Sequence, residues 1–147
     1  MKKVLSTLFV CVATAFTFFG TAGANSAYAA GNAGPFGLEV GVTTLEQVKK
    51  SVGAKTELAQ TGINKFSDGP MLKGNGKGLG LDGLQDVLFI FDDKNVLAAV
   101  SMTLPKHQFR GMVNQLAGKY KVTSKVIPHV GNSHAHYVAG NSLVELD

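Results

Sequence analysis

Asp86-Val87-Leu88-Phe89-Ile90-Phe91-Asp92-Asp93-Lys94-Asn95-Val96-Leu97-Ala98-Ala99-Val100-Ser101-Met102-Thr103 decides the fold of this chain. Its first six residues are the strongest strand signal in the sequence. Asp92–Asn95 follows as a polar turn, and Val96–Thr103 returns as the partner strand. The two arms are almost continuously apolar, whereas a strand with one wet face alternates. The hairpin therefore belongs in the middle of a sheet.

Helical spacing appears on both sides of this hairpin. Downstream, Pro105 suits a first helical position, where its missing N–H costs nothing. Phe109, Met112, Val113 and Leu116 then fall at i, i+3, i+4 and i+7, and Gly118 closes the segment. Upstream, Thr43 and Glu46 read as a capping box, Leu45, Val48 and Val52 as one buried stripe, and Gly53 as a left-handed stop. Lys119–Val126 alternates like a strand with one side in water. Ser133–Val138 and Ser142–Asp147 flank Gly140-Asn141, a two-residue hairpin signal. Phe36–Val40 and Thr56–Gln60 read as short strands, and Gly31–Pro35 as a flexible lead-in. Lys73–Gly83 is rich in glycine and reads as a long mobile loop. Each helix precedes a run of strands. The pattern predicts an α+β fold, with one antiparallel sheet and two helices packed on one face.

The N-terminus reads differently. Met1-Lys2-Lys3 is basic, Val4–Phe19 is apolar, and Gly20–Ala30 is small and polar with Ala27-Tyr28-Ala29 as an A-x-A site. This order is that of a secretory signal peptide cleaved after Ala29, which addresses the chain to a periplasmic or extracellular place. The apolar run is shorter than the roughly 20 residues that span a bilayer, and no basic stop-transfer cluster follows it. Cys11 lies inside the run after Phe9-Val10, where a lipidated cysteine does not belong. Residues 1–29 are thus expected to be a signal peptide and residues 30–147 a single domain. Cleavage removes Lys2, Lys3 and Cys11, halving the formal net charge of +4 and taking the only cysteine. A nucleic-acid partner loses its electrostatic basis, and thiolate chemistry is excluded from the processed chain.

Phe36-Gly37-Leu38-Glu39-Val40-Gly41-Val42-Thr43-Thr44-Leu45-Glu46-Gln47-Val48-Lys49-Lys50-Ser51-Val52-Gly53 resembles the opening of the small outer-membrane assembly lipoproteins of the SmpA/OmlA (BamE) kind. It is also similar to the repeat unit of β-lactamase-inhibitor-protein-like (BLIP-like) domains. The resemblance implies helices packed on an antiparallel sheet and a non-catalytic binder of other proteins. Two departures are the missing lipobox cysteine and Gly41-Val42-Thr43 where Gly-Met-Thr is common, and the resemblance implies no functional residues.

Counting outward from Gly140-Asn141 pairs Ala139 with Ser142, Val138 with Leu143, Tyr137 with Val144, His136 with Glu145 and His134 with Asp147. That register puts His134, His136, Glu145 and Asp147 on one face, a set able to ligate Zn²⁺ or Cu²⁺. The same face also reads as solvated His–carboxylate pairs worth at most about 1 kcal/mol each. In Lys73–Gly83, Lys77 is followed by Gly78 where a phosphate loop needs Ser or Thr. Lys119, Lys121 and Lys125, with Lys106 and Arg110, could meet an acidic partner or form an ordinary solvated face. No G-x-S-x-G elbow is present. The expectation is an exported protein-binding or envelope-assembly module without cofactor, catalysis or nucleic-acid partner. Its expected partner is another envelope or extracellular protein, with edge-strand pairing through Leu143–Asp147 as one route. The alternative is a metal-binding protein or small envelope enzyme using His134 and His136.

Overall fold

A computed structural model describes residues 5–12 and 31–147. Met1-Lys2-Lys3 and the expected cleavage site at Ala27-Tyr28-Ala29 lie outside the described residues. The fold is α+β. In chain order its elements are β1 (Leu5–Val12), α1 (Leu45–Gly53), β2 (Leu58–Ile63), β3 (Asp68–Asn75), β4 (Asp86–Asp92), β5 (Leu97–Pro105), α2 (Phe109–Lys119), β6 (Lys121–Val126), β7 (His134–Ala139) and β8 (Ser142–Leu146).

Each helix is followed by an antiparallel meander, giving a four-strand unit (β2–β5) and a three-strand unit (β6–β8). Strand β1 lies between them, so the order across the sheet is β2-β3-β4-β5-β1-β8-β7-β6. The hairpin that decides the fold forms as its sequence demands. Asp92 Oδ1 accepts from the backbone N–H of Lys94 (3.0 Å) and Val96 (2.8 Å), and Asn95 takes φ +60° to close the turn. Val87, Phe89 and Phe91 of β4 and Leu97 and Val100 of β5 are fully buried. They share one core with Val48 and Val52 of α1 and Phe109, Met112, Val113 and Leu116 of α2. Each fully buried Val, Leu or Phe there contributes about 1.5–3 kcal/mol.

Several local expectations change. The cap of α1 is Thr44 with Gln47, not Thr43 with Glu46. Thr44 N–H donates to Gln47 Oε1 (2.8 Å), and Gln47 N–H to Thr44 Oγ1 (3.4 Å). The one-residue shift arises because the chain stays extended through Thr44, which bridges Val96, while the Thr43 carbonyl accepts from Leu97 N–H (2.8 Å). Gly53 is the last helical residue and not a left-handed stop, since Ala54 behind it is right-handed. Gly118 is likewise inside α2, which ends at Lys119.

Lys73, Gly74 and Asn75, expected in a mobile loop, are the end of β3. The glycines there permit close approach. A Cβ on Gly69 would strike the backbone carbonyls of Phe91 and Asp92, and one on Gly76 would strike Leu84. The rest of the glycine-rich segment is pinned by buried Leu79 and Leu84. Phe36–Val40 is no strand, because Pro35–Gly37 makes a short 3₁₀ turn with Phe36 at φ +58°. Gly31–Pro35 is not a loose lead-in. Ala33 is fully buried and its N–H donates to Ser142 Oγ (3.1 Å). Strand β6 is exposed on both faces along nearly its whole length, because it is the sheet edge.

Candidate functional site

The β7–β8 hairpin follows the expected register from Ala139↔Ser142 to His136↔Glu145. Gly140 takes φ +56°, the positive value that the first position of a two-residue hairpin loop needs. Ala135, Tyr137, Val144 and Leu146 turn into the core and are fully buried. Burial raises the Tyr137 phenol above its ordinary pKa. Its hydroxyl donates to the Val113 carbonyl (3.2 Å), tying β7 to α2.

On the opposite face the His134 and His136 rings lie 5.4 Å apart, and Glu145 stands across from His136. Asp147 follows the end of β8, and His129 is exposed in the loop before β7. Among the described residues no three His, Cys, Asp or Glu converge as metal ligands do. Lys106, Arg110, Lys119, Lys121 and Lys125 are all exposed.

The more specific geometry lies at the seam between the two units. Strand β1 is antiparallel to β5 on one side and to β8 on the other. Leu143–Asp147 is therefore not the sheet edge that its sequence suggested. β8 has β7 and β1 as neighbours, and the true edges are β2 and β6. Val10 sits between Val100 and Val144, and all three are buried.

Below Val10 lies a cavity of about 340 Å³. Met102 and Val144 line it from the sheet, Met112 and Leu116 from α2, Leu79 from the glycine-rich loop and Phe36 from the 3₁₀ turn. Among the described residues its titratable walls are Lys119 and Tyr120, without a carboxylate or imidazole. Such a space accepts an apolar side chain.

A strap, residues 32–43, crosses the seam on the same end as the starts of β5 and β8. At β8, Asn141 N–H donates to Asn32 Oδ1 (2.8 Å) and Ala33 N–H to Ser142 Oγ (3.1 Å). At β5, Gly41 N–H donates to the Leu97 carbonyl (2.7 Å), and Leu97 N–H to the Thr43 carbonyl (2.8 Å). Within the strap, Val40 N–H donates to the Ala33 carbonyl (2.9 Å) and Asn32 Nδ2 to the Val40 carbonyl (3.0 Å).

The sequence missed two sites. Val10 was hidden because an apolar leader and an apolar strand share composition, although Leu8-Phe9-Val10-Cys11-Val12 has the β-branched and aromatic content of a strand. The other is the β2–β3 loop. Asn64 Oδ1 accepts from Phe66 N–H (2.8 Å) and Ser67 N–H (3.1 Å), and Ser67 Oγ donates to the Phe91 carbonyl (2.7 Å). Phe66 is 98% exposed at this tied tip, and Ile63 beside it in sequence is 58% exposed. Asn64 and Asp68-Gly69 were the available turn signals.

No protein-family model, characterised protein or solved structure matches this chain. Among the described residues no helix is long and apolar enough to cross a membrane.

Proposed function

We propose that the chain is an exported, non-catalytic protein-binding or envelope-assembly module. The leader-like order of residues 1–29 supports export. The observation that carries the binding reading is Phe66. A phenylalanine this exposed gains nothing for the fold, yet its backbone is fixed by Asn64 and Ser67. Exposed aromatic side chains carried on a fixed backbone suit the anchor role at protein interfaces, because little backbone entropy is lost when they dock.

The test is crosslinking in the envelope and exported fractions, comparing the natural chain with a Phe66→Ala, Ile63→Ala variant. The partner captured by the natural chain should be lost in the variant, with Tm unchanged. Equal capture by both would remove Phe66 as the anchor, and no capture by either would overturn the binding reading.

A further inference from the structure

We propose that the seam between β5 and β8 is a strand-accepting site, filled by Leu5–Val12 in the precursor and by an extended apolar segment of a partner protein after processing. This rests on the reading of residues 1–29 as a cleaved leader. Removal of β1 leaves β5 and β8 parallel to each other across a gap one strand wide, each with an unpaired row of backbone groups. Two strand spacings separate them, about 9.5 Å.

Two features keep that gap from being an ordinary edge. The first is the strap, which belongs to the processed chain. It is bonded to Ser142 and Asn141 on one side and to Leu97 on the other, so it spaces the two units independently of β1. The second is the cavity under Val10, whose lining comes from both units and α2. With β1 gone, this cavity opens into the gap.

The chemistry of the occupant follows from what the seam already holds. Seven residues of β1 pair with β5 and five pair with β8, antiparallel in both cases. The incoming segment must be extended and antiparallel to both. An apolar residue belongs at the position of Val10, which is 2% exposed between Val100 and Val144, both fully buried. Backbone pairing on two sides gives affinity, and the cavity beneath Val10 gives selectivity, as in other strand-addition modes. The expected route through Leu143–Asp147 then becomes available only after cleavage, since β1 covers β8 until then.

The test titrates the processed chain, purified from the exported fraction, with a synthetic peptide of residues 5–12 carrying Cys11→Ser. The expected result is saturable one-to-one binding at about 10 μM or tighter, with slowed amide exchange in Leu97–Pro105 and Ser142–Leu146. A Val10→Asp peptide should bind at least about 100-fold more weakly, because its carboxylate would be buried between Val100 and Val144. Absence of binding, or equal binding of the Val10→Asp peptide, overturns the proposal. In the crosslinking experiment the peptide should displace the captured partner. A partner captured but not displaced overturns the seam as its site and leaves the protein-binding reading standing. Binding of the peptide with no partner captured in any fraction overturns the protein half of the proposal together with that reading.

Discussion

Val100 and Val144 are both paired with Val10, one from each side, and so lie in parallel strands held one strand apart. The two helix-plus-meander units of this protein do not touch strand to strand. What joins them across the sheet is Leu5–Val12. They are also joined by the 32–43 strap at the starts of β5 and β8, and by α2, which continues from β5 and bonds to β7 through Val113 and Tyr137.

The cap of α1 is a clean test of the local register. Thr44→Ala removes the side-chain acceptor of the first turn and should cost about 1 kcal/mol in urea unfolding. Glu46→Gln touches only an exposed 3.7 Å pair with Lys49 and should change stability by less than about 0.5 kcal/mol. Reversed effects would restore the Thr43–Glu46 box.

The glycine-rich segment should respond position by position. Gly76→Ala forces a methyl into the Leu84 backbone and should cost about 1–3 kcal/mol. Gly80 has open space around it and φ +80°, so Gly80→Ala should cost only about 1–2 kcal/mol, from the backbone alone. A segment without fixed structure would tolerate both, and equal near-zero values in chemical denaturation would contradict the pinned loop.

Tyr137 sets an alkaline limit. Its pKa is raised by burial, so the folded state holds the phenolic proton more tightly than the unfolded state. The stability this provides is fully present below about pH 10 and is lost as pH rises above it. Tm of the natural chain should therefore fall above that pH. Tyr137→Phe should lower Tm at neutral pH, by the roughly 1 kcal/mol of the bond to Val113, and flatten the alkaline fall. An unchanged alkaline fall in the variant would assign the loss to other groups.

The histidine face should behave as a solvated surface. Zinc titration by calorimetry should show no site tighter than about micromolar, because among the described residues no three His, Cys, Asp or Glu converge as ligands. A tighter site lost in a His134→Ala, His136→Ala variant would favour the metal-binding alternative.

Much of this architecture was legible in the chain. The β4–β5 hairpin, the α2 stripe of Phe109, Met112, Val113 and Leu116, and the register from Ala139↔Ser142 to His136↔Glu145 are strong local patterns that the tertiary structure reinforces. The errors arose where local signals carry two meanings. Glycines at 69, 74 and 76 mark close approach of neighbouring segments, which sequence cannot separate from looseness. Thr43 and Thr44 are both good caps, and only pairing with Val96 selects the second. The Val10 strand is hidden by the same ambiguity, because apolar residues that suit a leader also suit the centre of a sheet.

The most direct test is amide exchange by mass spectrometry on two forms of the chain, one full-length with processing blocked by Ala27→Arg and Ala29→Arg, the other collected after export. The structure predicts slow exchange across Leu97–Pro105 and Ser142–Leu146 in the full-length form. In the exported form the seam-facing amides of those strands should exchange faster, with β4 and β7 unchanged. Identical protection of both strands in the two forms would contradict a strand site opened by loss of Leu5–Val12.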